Sequence, residues 1–246
     1  MIYFHEHTDS TNRVAKEMVA NGAPDGTVVV AASQSAGRGQ YGRAFNSPFG
    51  GLYFSLVVQP HLPPERIPLV TLATGLACRN VLHERFQVDV RIKWPNDLFL
   101  AGKKVAGILC EQLGGAPRHS KESNVIIGVG LNINSKIEQF DPDVQPIVTT
   151  LFEHTGQTEE LAPLLDEFLK AIMSYVKRLS SERAIVLEEW QRWDMLRDQP
   201  VIYTNQNMII DGVGQGITPD GLYRIRDHEN QEHAIVGGQL RMRFGA

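Results

Sequence analysis

Ser35-Ala36-Gly37-Arg38-Gly39-Gln40-Tyr41-Gly42-Arg43 lies between two apolar runs, Val28-Val29-Val30-Ala31-Ala32 and Leu52-Tyr53-Phe54-Ser55-Leu56-Val57-Val58. Both runs read as buried strands. Gly37, Gly39 and Gly42 spell G-x-G-x-x-G, so this stretch decides between a dinucleotide-binding fold and something else. The dinucleotide fold needs a helix opening at the last glycine and an acid about 20 residues on. Here Ala44-Phe45-Asn46-Ser47-Pro48-Phe49-Gly50-Gly51 follows, which cannot open a helix, and Leu62 stands where the acid belongs. The doubly wound reading is rejected. What remains is a loop between strands with two arginines, no acid, and glycines that leave N–H groups exposed. Its plain reading is a solvated hairpin; its functional reading is a loop that closes over a carboxylate or phosphate.

The rest of the chain narrows the choice. Its 246 residues hold one large domain, or one plus a small one. A hydrophobic content of 42% and a charged content of 21% are those of a soluble globular protein. The net charge of −4 argues against a bulk nucleic-acid coat. Cys78 and Cys110 sit in apolar surroundings and read as buried thiols of a reducing compartment. No apolar stretch reaches transmembrane length, and the start lacks the pattern of a signal peptide. The expected location is the cytoplasm.

Upstream of the loop, Ile2 to His5 reads as a short strand. A helix then opens at Asp9-Ser10-Thr11-Asn12, with Ser10 or Asp9 expected to cap it. Val14, Ala15, Met18 and Val19 form its inner stripe, and Asn21-Gly22 ends it. Downstream, Pro68 starts a helix running to about Phe86, with Leu69, Leu72, Ala73, Leu76 and Leu82 inward. Val90 to Lys93 alternates like a strand, and Trp94-Pro95-Asn96 bends the chain. Asp97 to Leu100 and Lys103 to Leu113 then form a hairpin around Ala101-Gly102. That turn pairs Phe99 with Lys104 and Asp97 with Ala106, so one face carries Asp97, Phe99, Lys104, Ala106 and Ile108. Lys104 on that face either snorkels to solvent or meets an anion.

Gly114 to Ser123 reads as a surface turn. Asn124 to Asn132 is a strand in which Gly128 and Gly130 leave one face bare, for a core helix or for a ligand. Thr150 to His154 is one helical turn, Pro163 to Leu179 a helix, and Glu182 to Leu196 another that buries Ile185, Val186, Trp190 and Trp193. The eight histidines are scattered without metal-ligand spacing. Asp198-Gln199-Pro200 marks the best boundary. Short strands follow at Val201–Tyr203, Met208–Val213, Leu222–Arg226, Ala234–Val236 and Leu240–Phe244, with Asn205-Gln206, Pro219-Asp220-Gly221 and Gly237-Gly238 as turns. This tail suggests a small SH3-like barrel.

Collected, the polar pieces are a helix N-terminus at Ser10-Thr11, the glycine–arginine loop, Lys93 and Lys104 flanking Asn96-Asp97, and Asn132 after a bare strand. No Walker loop is present, so phosphate would fall to arginine, lysine and backbone amides. Joining a carboxylate to a nucleotide phosphate brings two anions together. At ~4 Å they repel by roughly 4 kcal/mol at an effective dielectric of about 20, so cations must stand between them.

Gly37-Arg38-Gly39, Lys93-Trp94-Pro95-Asn96-Asp97, Lys104-Val105-Ala106-Gly107-Ile108-Leu109 and Gly128-Val129-Gly130-Leu131-Asn132 resemble the biotin–protein ligases. Asp9-Ser10-Thr11-Asn12 and Gln34 fit too, and the order holds from about Ile2 to Phe244. The resemblance implies an α+β fold: a mixed-sheet catalytic domain of the biotin/lipoyl ligase type over 1–197 and an SH3-like β-barrel over 198–246. It implies that biotin carboxylate attacks the α-phosphate of ATP, with Mg2+, giving biotinyl-5′-AMP. A lysine of a biotin carboxyl carrier domain would then take the biotinyl group. Ser10, Thr11, Asn12, Gln34, Gly39, Gln40 and Gly107 would line the biotin site. Arg38 and Lys104 would be the catalytic cations bridging carboxylate and phosphate. Arg43, Phe45, Asn96, Asp97 and Asn132 would meet the nucleotide, Asp97 either orienting a lysine or binding a magnesium shell. The metal ligands stay open. The glycine loop is expected to order over the ligand and exclude water.

Where the family commonly reads Gly-Arg-Gly-Arg, this chain has Gln40, which brings no charge. Many bacterial members carry an N-terminal helix-turn-helix. The catalytic pattern here starts at Met1, so no operator binding and no DNA partner are expected, nor a membrane partner. Dimerisation is a family expectation only. The rivals are lipoate ligases and octanoyltransferases of the same fold, and a biotin sensor without turnover.

Overall fold

The computed structural model describes residues 1–113, 124–205 and 208–243. The surface turn expected at Gly114 to Ser123, half of the Asn205-Gln206 turn and the last residue of the Leu240–Phe244 strand lie outside these. Seven strands form the main sheet: β1 (Ile2–His5), β2 (Val28–Ala31), β3 (Leu52–Val58), β4 (Val90–Lys93), β5 (Asp97–Leu100), β6 (Lys103–Gln112) and β7 (Val125–Leu131). Their order is β1-β2-β3-β7-β6-β5-β4. Only β1 and β2 pair in parallel, because the helix α1 (Thr11–Ala20) crosses between them; every other pair is antiparallel.

The strand β3 shows why its run is apolar throughout. Leu52, Phe54, Leu56 and Val58 face the large core, while Val57 faces the smaller cluster under α1 with Ala15, Val29 and Ile126. Both faces are covered, so no polar alternation is needed. The large core is roofed by α2 (Leu69–Phe86), by α4 (Leu161–Ser181), which follows the single turn α3 (Leu151–Thr155), and by α5 (Arg183–Gln191). The expected stripe on α2 is buried, and so are Val70, Thr74, Ala77, Cys78 and Val81 around the rest of it. That helix lies between the sheet and α4 and α5.

Two expectations are corrected here. The helix of 182–196 ends at Gln191, and Ile185 is exposed while Val186 and Trp190 are buried. Trp193 lies beyond the helix, where residues 193–195 run along the free edge of β4: Trp193 O accepts from Ile92 N at 2.8 Å, and Met195 N donates to Ile92 O at 3.0 Å. Cys78 is buried and Cys110 half-buried, both as free thiols.

After Asp198, with φ 60°, the chain forms β8 (Pro200–Thr204), β9 (Ile209–Ile217), β10 (Tyr223–Asp227), β11 (Glu232–Ile235) and β12 (Gln239–Met242). They make an antiparallel five-stranded sheet in the order β11-β10-β9-β8-β12, the small SH3-like unit expected from the short strands. The buried carboxylate of Asp194 ties the two sheets, accepting from Tyr223 Oη at 2.8 Å and from Leu196 N at 3.0 Å.

Candidate active site

The glycine–arginine stretch folds back on itself beside the α1 face of the main sheet. Phe45 N donates to Gly37 O at 2.9 Å and Gly39 N to Arg43 O at 2.8 Å. Gly37 must lack a side chain, since a Cβ there would stand 2.5 Å from Phe45 O. The tip is a 3-10 turn over Gln40–Gly42 with Tyr41 at φ 58°. The Tyr41 hydroxyl accepts from Gly238 N at 2.7 Å, which fastens the tip to the five-stranded sheet. So placed, Arg38, Gly39, Gln40 and Arg43 wall a cleft whose opposite side carries Lys93, Asn96, Asp97, Lys104 and Gly107.

One end of this cleft is uncharged. Ser10, Thr11, Asn12 and Gln34 line it. Of the two side chains expected to cap α1, Ser10 makes no cap bond, while the Asp9 carboxylate takes a backbone N–H at the helix start. Two N–H groups at this end bond to side chains: Ser10 N donates to Asp9 Oδ1 at 2.6 Å and Thr11 N to Gln34 Oε1 at 2.9 Å. Gln34 Nε2 in turn donates to Ser47 Oγ at 2.9 Å. Asn12 is held from three sides. Its Nδ2 donates to Glu111 Oε2 at 2.8 Å and Leu109 O at 3.3 Å, and its Oδ1 lies 2.6 Å from Ser55 Oγ. Of the bare glycines of β7, Gly128 is packed by the first turn of α1, as expected of a core helix, and Gly130 by Phe45 of the loop. A Cβ on Gly128 would stand 2.1 Å from Asn12 Oδ1, and one on Gly130 2.4 Å from the Phe45 ring.

The other end is cationic. The turn between β4 and β5 is pinned to β6, with Ile108 N donating to Asn96 O at 2.9 Å and Asn96 Nδ2 to Ile108 O at 2.8 Å. Trp94 is buried; its Nε1 donates to Gly221 O at 3.1 Å and its ring lies 5.6 Å from that of Tyr223. A register shift between β5 and β6 corrects the expected pairing. Phe99 stands opposite Lys104 as expected, but Asp97 stands opposite Gly107, and Ala106 opposite Leu98. Ala106 and Ile108 therefore belong to the large core, and Gly107 takes their place on the cleft face.

Lys104 meets an anion from the protein itself: its Nζ is 2.6 Å from Asp97 Oδ1 and 5.6 Å from the Phe45 ring centre. Lys93 has no such contact. It rests near the Phe99 ring, and burial holds its pKa below the usual lysine value, with the Asp97 charge working the other way. Arg241, from β12, also lines the cleft, so the five-stranded sheet supplies a cation to it. Asn132 does not line the cleft. It is buried at the end of β7, its Nδ2 donating to Thr149 O at 3.1 Å while its Oδ1 has no partner. Ser55, Tyr41 and Arg241 were not singled out as site residues from sequence, whereas Lys93 was, as a cation flanking Asn96-Asp97. For Ser55 the available signal was a serine in an otherwise hydrophobic strand.

Among the described residues no group of three histidine, cysteine or acidic side chains could hold a metal ion. Among them, too, no helix is long and apolar enough to cross a membrane.

A mixed sheet walling one cleft, lined by uncharged hydrogen-bonding groups at one end and by cations at the other, defines a protein built to bind a neutral polar group beside an anion. Comparison with known proteins gives that class a family. Residues 4–132 match the model of the Biotin/lipoate A/B protein ligase family. A biotin–[acetyl-CoA-carboxylase] ligase from Paracoccus denitrificans is 30% identical over 230 residues, covering 89% of this chain and 91% of that protein. The bifunctional ligase/repressor BirA of Bacillus subtilis is 34% identical over 169 residues, 68% of this chain. The match spans about half of that relative's length, 51%. The biotin protein ligase from Aquifex aeolicus, solved in complex with biotin and ATP, superposes with a TM-score of 0.84 at 27% identity, covering 99% of both chains. The chain belongs to the biotin/lipoate A/B protein ligase family.

Proposed function

We propose that the chain is a biotin–protein ligase. The carboxylate oxygen of biotin attacks the α-phosphorus of ATP, the bond to the β-phosphate oxygen breaks, and pyrophosphate leaves. A lysine amine of a biotin carboxyl carrier domain then attacks the acyl carbon of the adenylate, and AMP leaves with the bonding pair. The observation that carries this reading is the placement of an uncharged, hydrogen-bonding end and a cluster of cations in one cleft, on one face of one sheet. A neutral bicyclic ring fits the first; a carboxylate meeting a triphosphate needs the second.

Ser10, Thr11 and Gln34 take the ring. Arg38 and Lys104 stand between carboxylate and phosphate. Arg43 and Asn96 serve the nucleotide, with Phe45 beside the base. Asn132, expected at the nucleotide, is given no part in its binding, because it is buried outside the cleft. Asp97 orients Lys104, as their 2.6 Å contact supports. Among the described residues it is the one carboxylate lining the cleft, which fits a magnesium ion held mainly by phosphates and water. Residues 1–197 form the catalytic unit and 198–246 the small one.

The test is biotin-dependent ATP–pyrophosphate exchange, followed by transfer of labelled biotin to a purified carrier domain. Exchange with biotin and none with lipoate is expected. Exchange with lipoate instead, or binding without exchange, overturns the reading.

A further inference from the structure

A chain of hydrogen bonds runs under the uncharged end of the cleft, and its direction is fixed from both ends. It starts at Lys16, whose Nζ is 2.6 Å from Glu111 Oε1. The other carboxylate oxygen and Leu109 O can only accept, so the Asn12 amide must turn its NH2 toward them. Its Oδ1 is left facing Ser55, which is fully buried. That oxygen can only accept, so the Ser55 proton is committed to it at 2.6 Å. Ser55 Oγ therefore meets Thr11 Oγ1, 2.8 Å away, as an acceptor.

The second chain comes from the loop. Ser47 Oγ donates to Phe45 O at 3.1 Å, so it accepts from Gln34 Nε2. Gln34 then turns Oε1 toward Thr11, where it accepts from the backbone N–H at 2.9 Å and lies 3.3 Å from the hydroxyl. Both protein neighbours of the Thr11 hydroxyl are acceptors. Its single proton goes inward, and only lone pairs remain for the cleft that it lines.

We propose that Glu111 is a positioning residue. Through Asn12 and Ser55 it makes the Thr11 hydroxyl a pure acceptor, so that this subsite selects a ring presenting an N–H donor. The inference rests on the biotin reading above and deepens it: a cyclic urea offers such a donor, whereas a dithiolane ring or an alkyl chain offers none. Glu111 never touches the ligand in this scheme; it acts three residues away.

The experiment is calorimetric titration of the full chain with biotin and with an analogue whose ureido N–H is replaced by a ring oxygen. Wild type is expected to prefer the urea by about 10- to 100-fold, the cost of facing two acceptors. Two variants follow. Ser55→Ala removes the nearer acceptor, at 2.8 Å, and leaves Thr11 only the long contact to Gln34 Oε1 at 3.3 Å, so its proton can turn toward the cleft. Lys16→Glu with Glu111→Lys keeps the ion pair but turns a donor toward Asn12. Each is expected to shrink the preference to less than about fivefold. If the exchanged pair fails to fold, Ser55→Ala decides alone. A preference that stays at the wild-type ratio, while biotin still binds, overturns the inference and leaves the biotin reading standing. Parallel loss of both affinities marks a structural role and overturns it too. No binding of biotin by wild type overturns both.

Discussion

At one end of the cleft every polar atom of the Asn12 and Gln34 amides already has a protein partner. At the other, Lys93 rests against an aromatic ring with its charge disfavoured by burial, Lys104 pairs with Asp97, and Arg38, Arg43 and Arg241 line the same cleft. The first end is set before any ligand arrives, so little ordering is lost on binding. The second keeps like charges close together and becomes comfortable only when an anion enters. A neutral ring can be selected by fixed hydrogen bonds, whereas a pair of mutually repelling anions can only be held by surplus positive charge.

The contrast can be broken most severely at Lys104. Lys104→Ala is expected to lower kcat/KM for adenylate formation by about 100- to 1,000-fold, as for loss of one transition-state donor. Biotin affinity measured without ATP should fall much less; an equal fall in both would show that Lys104 belongs to the ring end. Gly128→Ala attacks that ring end, since its Cβ would collide with Asn12 Oδ1. It should weaken biotin by about 10-fold with nucleotide binding intact, read by titrating each ligand separately.

Lys93→Met is the complementary change, with about a 10-fold loss expected for ATP and none for biotin. It also has a sign in pH. The folded-state pKa of Lys93 is lowered, so its charge destabilises the fold below that pKa, and the penalty fades as pH rises through it toward the unfolded value. The variant should therefore melt higher than wild type at neutral pH, and the gain should shrink in alkali. A gain that grows in alkali would refute the assigned cause. The smallest effect is expected from Gln40→Arg, which adds a cation where the family commonly has one. Escape of the adenylate, followed by stopped-flow or trapping, should slow by a few-fold. An unchanged off-rate would mean that Gln40 costs the phosphate end nothing.

Most strands and helices were legible because local patterns carried them: the apolar runs of β2, β3 and β7, the Ala101-Gly102 turn, and the single helical turn after Thr150, all of which the structure bears out. Two things were not. The shift opposite Leu98 and Phe99 leaves no mark in composition, yet it exchanges Ala106 for Gly107 on the cleft face. A one-residue slip reverses every side chain beyond it. The second is Ser55. In sequence it is one serine in a hydrophobic run, and its importance appears only when α1 brings Thr11 and Asn12 within 3 Å. Short-range pattern shows which residues are buried, but partners 43 and 44 positions away in the chain come only with topology.

Trp94 belongs to a turn of the seven-stranded sheet but is anchored outside it, through its indole N–H on Gly221 O. Gly221, at φ 81°, has no space to spare; any Cβ would stand 2.5 Å from Leu69. Damage to that distant glycine would therefore travel along the indole into the turn bearing Asn96 and Asp97. An amino-acid change in the tail would show itself as a fault in handling nucleotide, and a screen that scored only folding of the small sheet would miss it.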